Sequence, residues 1–311
     1  MTQTDPMVSL ERLTRHFGDV TAVDGLSFEV TRGELFGLVG PDGAGKTTTL
    51  RILAGVLQPS EGDAIVNGIS IARNPEAAKP SLAYMSQRFG LYTDLTVLEN
   101  LHFYADLYEV PRAERDARME RLFRFSNLGP FTQRLAGQLS GGMKQKLGLS
   151  CALIHRPTIL LLDEPTFGVD PISRRDLWLI VHEMVAEGVT VIVSTAYMDE
   201  AERFDRVALL NEGRLLALAT PTAMQRELDG RVYAVEVEPL REARDQLQPV
   251  STVERAAVFG NRLHVTLTHR SDASAITTAL HGGRFAVRSV TPIEASMEDV
   301  FIHQIIRAGA A

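Results

Sequence analysis

The segment GPDGAGKTT carries the spacing G-x-x-x-x-G-K-[ST] in Gly40, Gly45, Lys46 and Thr47, with Pro41, Asp42, Gly43 and Ala44 between the glycines and Thr48 behind. Glycines at these places let backbone N–H groups turn inward on an anion at a helix N-terminus. Lys46 would then meet the β- and γ-phosphates of a nucleoside triphosphate, and the Thr47 hydroxyl would ligate Mg2+. The chain's own residue frequencies give such a match anywhere by chance in about 0.3% of cases. A second constellation is the pair Asp163 and Glu164, delivered by an apolar run at 158–162 and followed by Pro165. The first carboxylate suits Mg2+, directly or through water, and the second suits orienting or deprotonating an attacking water. In a third, LSGGMKQKL at 139–147, Ser140, Gly141 and Gly142 precede a helix running through Cys151 and Leu153. A serine hydroxyl and exposed N–H groups at a helix start make an anion site, although that segment alone reads equally well as a capped helix.

These groups need strands and helices to hold them. The apolar run ELFGLV at 34–39 ends at the glycine-rich loop, and 48–56 continues with helical spacing, which predicts strand, loop and helix. The runs at 159–162 and 189–193 are short enough to be buried strands, and none approaches the roughly 18 residues of a membrane helix. Beyond ALATPTAM at 217–224 the pattern changes to alternating strands. Strands are expected at 232–237, 253–259, 263–267 and 285–290, with a Gly260-Asn261 turn between the middle two, and helices at 240–247 and 273–280. That order, β-α-β-β-α-β, is the ferredoxin-like arrangement, and it sets a domain boundary near Leu228.

A chain of 311 residues exceeds a usual single domain, so one large unit and a smaller one are expected. Its 45% hydrophobic and 23% charged content is that of a globular protein. The net charge of -7 argues against a nucleic-acid partner, which would need a concentrated basic face. Lys46, Lys79, Lys144 and Lys146 are the only lysines, and three of them fall within the motifs. Cys151 is the sole cysteine and reads as a small buried helix residue, which excludes an internal disulfide and agrees with a reducing compartment. The polar start of the chain is unlike a secretory signal, so a cytoplasmic location is expected. His264, His269, His281 and His303 lack metal-ligand spacing and read as surface or packing residues.

Phosphate loop, LSGG segment, LLLDEP strand end and GVDP at 168–171, in this order, resemble the ABC ATPase family from Val8 to about Thr222. The resemblance implies an α/β P-loop NTPase fold over 1–228: a RecA-like core, an antiparallel β-subdomain and a helical subdomain at about 88–153. A small α+β accessory domain would follow at 229–311. It also implies ATP and Mg2+ as cofactors and a head-to-tail dimer. Each ATP would lie between one subunit's phosphate loop and the other's LSGG segment, so that Ser140, Gly141 and Gly142 serve the partner's nucleotide. Gln87 matches the glutamine that senses Mg2+ and the γ-phosphate, Phe17 the aromatic that stacks on adenine, and Asp170 the acidic residue that touches the opposite subunit. From the sequence alone Phe17 is as readily a core aromatic. Asp42 stands where the family often has asparagine. Residues 89–108, with Phe89, Leu91, Tyr92, Leu95, Phe103 and Tyr104, resemble the part that docks a permease, and ordinary helix packing is the alternative. The tail SMEDVFIHQI at 296–305 resembles drug-exporter ATPases of the ABC-2 type. The implied partners are a separate ABC-2 type membrane permease and a second ATPase subunit, with the chain peripheral on the inner face of the membrane.

One departure bears on activity. After the strand at 189–193 the family pattern expects histidine behind Ser-Thr, and this chain reads STAYMDEAER with Ala196 at that place. A methyl group cannot hydrogen-bond a γ-phosphate or steady Glu164, and losing one such contact commonly costs roughly 10²- to 10³-fold in rate. Tyr197, adjacent at the strand end, should face elsewhere. Either this subunit pairs with a non-identical, histidine-bearing ATPase, or a homodimer works with reduced turnover. STAYMDEAERFD resembles the first ATPase unit of two-unit exporters. Two other functions stay open: a soluble ABC ATPase acting on ribosomes or DNA, and a nucleotide-dependent assembly module with little hydrolysis.

Overall fold

The structure, a computed structural model, describes residues 6–87, 90–271, 273–281 and 284–309. The chain divides into two compact units, one ending at Leu218 and one beginning at Ala219.

In the first unit, β1 (Val8–Phe17) and β2 (Val20–Val30) form an antiparallel hairpin whose register sets Phe17 against Val20. β3 (Leu35–Val39) is buried at every position, as a strand covered on both faces must be. It runs into the phosphate loop and then α1 (Lys46–Leu53). β4 (Glu61–Val66) and β5 (Ile69–Ser70) return to the first sheet, whose order is β2-β1-β4-β5. After the short α2 (Pro75–Ala78) comes β6 (Leu82–Met85), which leads to Gln87. α3 (Val97–Leu107) starts with a capping box between Thr96 and Glu99, and α4 (Arg112–Ser126) and α5 (Gly141–Leu153) follow. The remaining elements are β7 (Ile159–Asp163), α6 (Pro171–Ala186), β8 (Thr190–Thr195), β9 (Arg206–Asn211) and β10 (Arg214–Ala219).

They complete a six-stranded sheet of order β10-β9-β3-β8-β7-β6. β3, β6, β7, β8 and β9 are parallel, so the carboxyl ends of β3, β7 and β8 share one edge. In open α/β sheets that edge is where ligands bind. Val191, Ile192 and Val193 of β8 and Ile159 to Leu162 of β7 are wholly buried, which explains their unbroken apolar runs. Cys151 is buried in α5, and burial holds its thiol well above the ordinary value.

The second unit opens with α7 (Pro221–Arg226), capped by Thr220. β11 (Val232–Glu238), α8 (Leu240–Leu247), β12 (Val253–Phe259), β13 (Arg262–Leu267), α9 (Ser274–Ala279), β14 (Ala286–Pro292) and α10 (Met297–Gly309) follow. The sheet order is β12-β13-β11-β14 with antiparallel neighbours. Setting the third strand between the first two is the split βαβ of the ferredoxin-like fold. The division falls before α7, not near Leu228, because α7 packs on α10 and so belongs to the second unit. Of the histidines, His264 and His303 are buried packing residues, His264 3.2 Å from Asp299 and His303 2.6 Å from Glu254, while His269 and His281 are exposed. Among the described residues no helix is long and apolar enough to cross a membrane.

Candidate functional site

The phosphate loop owes its path to glycines that nothing larger could replace. A Cβ on Gly40 would lie 2.2 Å from the Leu210 carbonyl oxygen. Gly45 caps α1 in the left-handed region at φ 94°, and a Cβ there would lie 2.5 Å from the Ala22 carbonyl oxygen. Lys46, 4% exposed, arches back over the loop and donates to the Gly40 and Pro41 carbonyls at 2.8 and 3.0 Å. Its Nζ also lies 3.4 Å from Glu164 Oε1, so the loop and the carboxylate pair meet at this ammonium.

Asp163, at the end of β7, is 2% exposed. Its Oδ1 accepts from the Thr47 hydroxyl at 2.9 Å and the Ser194 hydroxyl at 2.7 Å, and its Oδ2 from the Tyr84 hydroxyl at 3.2 Å. Burial, and after it the Asp163 charge, pushes the Tyr84 phenol up to about 12. Glu164 follows in the left-handed region at φ 48°, its N–H donating to the Ser194 carbonyl at 3.1 Å and hydroxyl at 3.0 Å. A non-glycine residue held there is the kind of strain found at functional sites. Gln87 Nε2 donates to Glu164 Oε2 at 3.3 Å. The loop, Gln87 and Glu164, with Val20, Thr21, Ala22 and Glu212, enclose a cavity of about 650 Å³.

These donors fit Mg2+. The Thr47 hydroxyl, one carboxylate and the Gln87 amide are hard oxygen ligands, and Mg2+ in nucleotide sites takes one or two carboxylates and completes its octahedron with phosphate and water. Among the described residues no group of three or more His, Cys, Asp or Glu forms an all-protein cage.

Lys46, Thr47, Gln87, Asp163 and Glu164 thus come together as the sequence suggested. Phe17 stays outside the cavity lining, 46% exposed beneath the Arg15 guanidinium at 4.6 Å, while its strand partner Val20 lines the cavity. Ser140 caps α5, accepting from the Met143 N–H at 3.3 Å, and Asp170 caps α6, accepting from the Ser173 N–H at 3.0 Å. That bond lowers the Asp170 pKa. The first turns of α5 and α6 pack closely: a Cβ on Gly142 would lie 2.1 Å from Ser173 Oγ and 3.3 Å from Asp170 Oδ2. Asp42 is exposed at the cavity wall. Tyr197 lies under the Arg174 guanidinium at 4.7 Å and is not among the cavity-lining residues. Phe89 lies outside the described residues; Tyr92 is 47% exposed and packs on Phe103 with ring centres 4.4 Å apart.

Sequence reasoning missed Ser194, Tyr84, Glu200 and Glu212. Ser194 is legible only once β7 and β8 are paired, since their register sets Asp163 beside it. Glu200, 1% exposed, accepts from the Thr195 hydroxyl at 2.7 Å and fixes the turn that carries Ala196.

The fold and site are those of an ATP-binding cassette ATPase. The profile of the family described as ABC transporter matches residues 23–167, and that of the DrrA1-3-like ATP-binding protein C-terminal domain matches 220–305. The Nod factor export ATP-binding protein I of Ralstonia nicotianae is 35% identical over 96% of this chain and 93% of its own. The probable multidrug ABC transporter ATP-binding protein YbhF of Escherichia coli is 44% identical over 99% of this chain, which spans about half of that relative, 53%. Among solved structures, an ATP-binding subunit of an ABC transporter superposes with a TM-score of 0.65 at 31% identity, covering 71% of this chain and 92% of its own. A cassette solved as a dimer in a post-hydrolysis state with ADP and Pi gives 0.63 at 25% identity, covering 69% and 98%. The chain belongs to the ABC transporter ATP-binding proteins.

Proposed function

We infer that the chain binds ATP with Mg2+ in the cavity at Lys46, hydrolyses it, and drives export through a separate ABC-2 type permease from the inner face of the membrane. The convergence of Lys46, Thr47, Gln87, Asp163 and Glu164 on one edge of the parallel sheet carries this reading. Lys46 and the loop N–H groups would hold the phosphates. Thr47, Asp163 and Gln87 would hold Mg2+, which neutralises charge developing on the phosphates. Glu164, anchored through its backbone to Ser194, would orient the attacking water and draw its proton. Phe17, with Val20, borders the side where a base would stack. The paired caps at Ser140 and Asp170 form a second polar edge, exposed at Ser140 and Gly141, suited to closing over the nucleotide of a second ATPase subunit. The names of the relatives, multidrug, Nod factor and linearmycin resistance, support export of a drug-like or lipid-like compound.

Ala196 supports asymmetric pairing with a non-identical ATPase over a homodimer, because its methyl offers no hydrogen bond where the site needs one. ATP turnover by the full chain with its partners, compared with Glu164→Gln, tests the motor reading. Loss of about 10²- to 10³-fold in rate with nucleotide binding kept is expected. Equal turnover by the variant would rule out Glu164 as the group that acts on water, and negligible turnover by both would favour an assembly module.

A further inference from the structure

Asp163 takes hydroxyl protons on both oxygens, from Thr47 and Ser194 on Oδ1 and from Tyr84 on Oδ2. The donors come from three directions. Thr47 is on α1, Ser194 on β8, and Tyr84 on β6 at the far side of β7. Two bonds on Oδ1 restrict the carboxylate's last torsion, which for aspartate is broad and two-fold. A third bond, on the other oxygen, fixes its plane. The sheet does not need the Tyr84 hydroxyl, because Leu82 to Met85 already pair with Ile159 to Leu162 through the backbone.

We propose that Tyr84 is a positioning residue for the cation side of the site: its hydroxyl, donating to Asp163 Oδ2, holds the carboxylate plane that lets Oδ1 and Thr47 act on Mg2+ together. This rests on the nucleotide reading above. It assigns to β6, the strand that leads to Gln87, a grip on Asp163 as well. Removing the phenolic oxygen leaves the phosphate loop, Lys46 and Glu164 untouched, so the defect is confined to the cation.

Binding of the fluorescent analogue MANT-ATP to the full chain, titrated with MgCl2 from an EDTA baseline, separates the possibilities. For Tyr84→Phe the expected result is unchanged affinity in EDTA, an unchanged melting temperature, and a Mg2+ midpoint raised about tenfold, the worth of a hydrogen bond to a charged group. Equal midpoints for Tyr84→Phe and the parent overturn the inference. So does an equal loss of affinity in EDTA and in Mg2+, which assigns Tyr84 to supporting the loop. Failure of the parent to bind MANT-ATP is a distinct result that defeats the nucleotide reading itself, and the Tyr84 role with it.

Discussion

Lys46 has three oxygen partners within 3.4 Å: two loop carbonyls and the Glu164 carboxylate. Its ammonium is therefore preorganised at the mouth of the glycine cradle, and fixed donors aimed at developing charge are worth more than mobile ones. On the proposed reading, Ala196 is the weak point of the same site. The turn that carries it is well braced, with Thr195 bonded to Glu200 and the Tyr197 N–H bonded to the Thr195 hydroxyl at 3.0 Å. A histidine placed there would start from an ordered backbone. Ala196→His is predicted to raise steady-state ATP turnover by about tenfold to 100-fold, below the full value of one contact because the surrounding groups were not shaped for it. Unchanged, brisk turnover in both forms would mean that the site never lacked that hydrogen bond.

At the scale of elements, what was legible was what the chain writes locally. The loop at 40–48, the strand end at Asp163 and the start of α5 announce themselves by spacing, and the strands of the second unit by alternation closed at Gly260. What was not legible depends on partners distant in sequence. Tyr84 and Ser194 flank Asp163 only through the parallel register of β6, β7 and β8, and α7 joins the second unit only because α10 packs against it. α10 in turn is held by buried polar pairs. Burial alone would raise the Asp299 pKa, but hydrogen bonds from His264 and Ser296 outweigh it and lower it below the ordinary 3.8. The unfolded chain then binds the proton more readily than the folded one. Asp299 contributes stability that is full above its unfolded value and is lost as pH falls through the lower folded value. Hydrogen exchange of α10 peptides between about pH 6 and pH 3, corrected for intrinsic rates, should show protection falling more steeply in the parent than in Asp299→Asn. Parallel curves would remove the carboxylate from that role.

At the scale of the whole molecule, two units of different architecture share one chain, and the chemistry belongs to the first. The edge of its parallel sheet gathers residues from β3, β6, β7 and β8, whereas the described residues of the second unit build a compact core in which His264 and His303 meet carboxylates. The caps at Ser140 and Asp170 give the first unit a second polar edge, which is why a partner subunit enters the account. All of this depends on triphosphate being captured at the loop. Equilibrium binding of ATP to the chain and to Lys46→Ala, each confirmed folded by its melting curve, tests that most directly. The account predicts affinity reduced by at least about tenfold in the variant, the worth of a charge-assisted contact. Equal affinity in the two forms would contradict it.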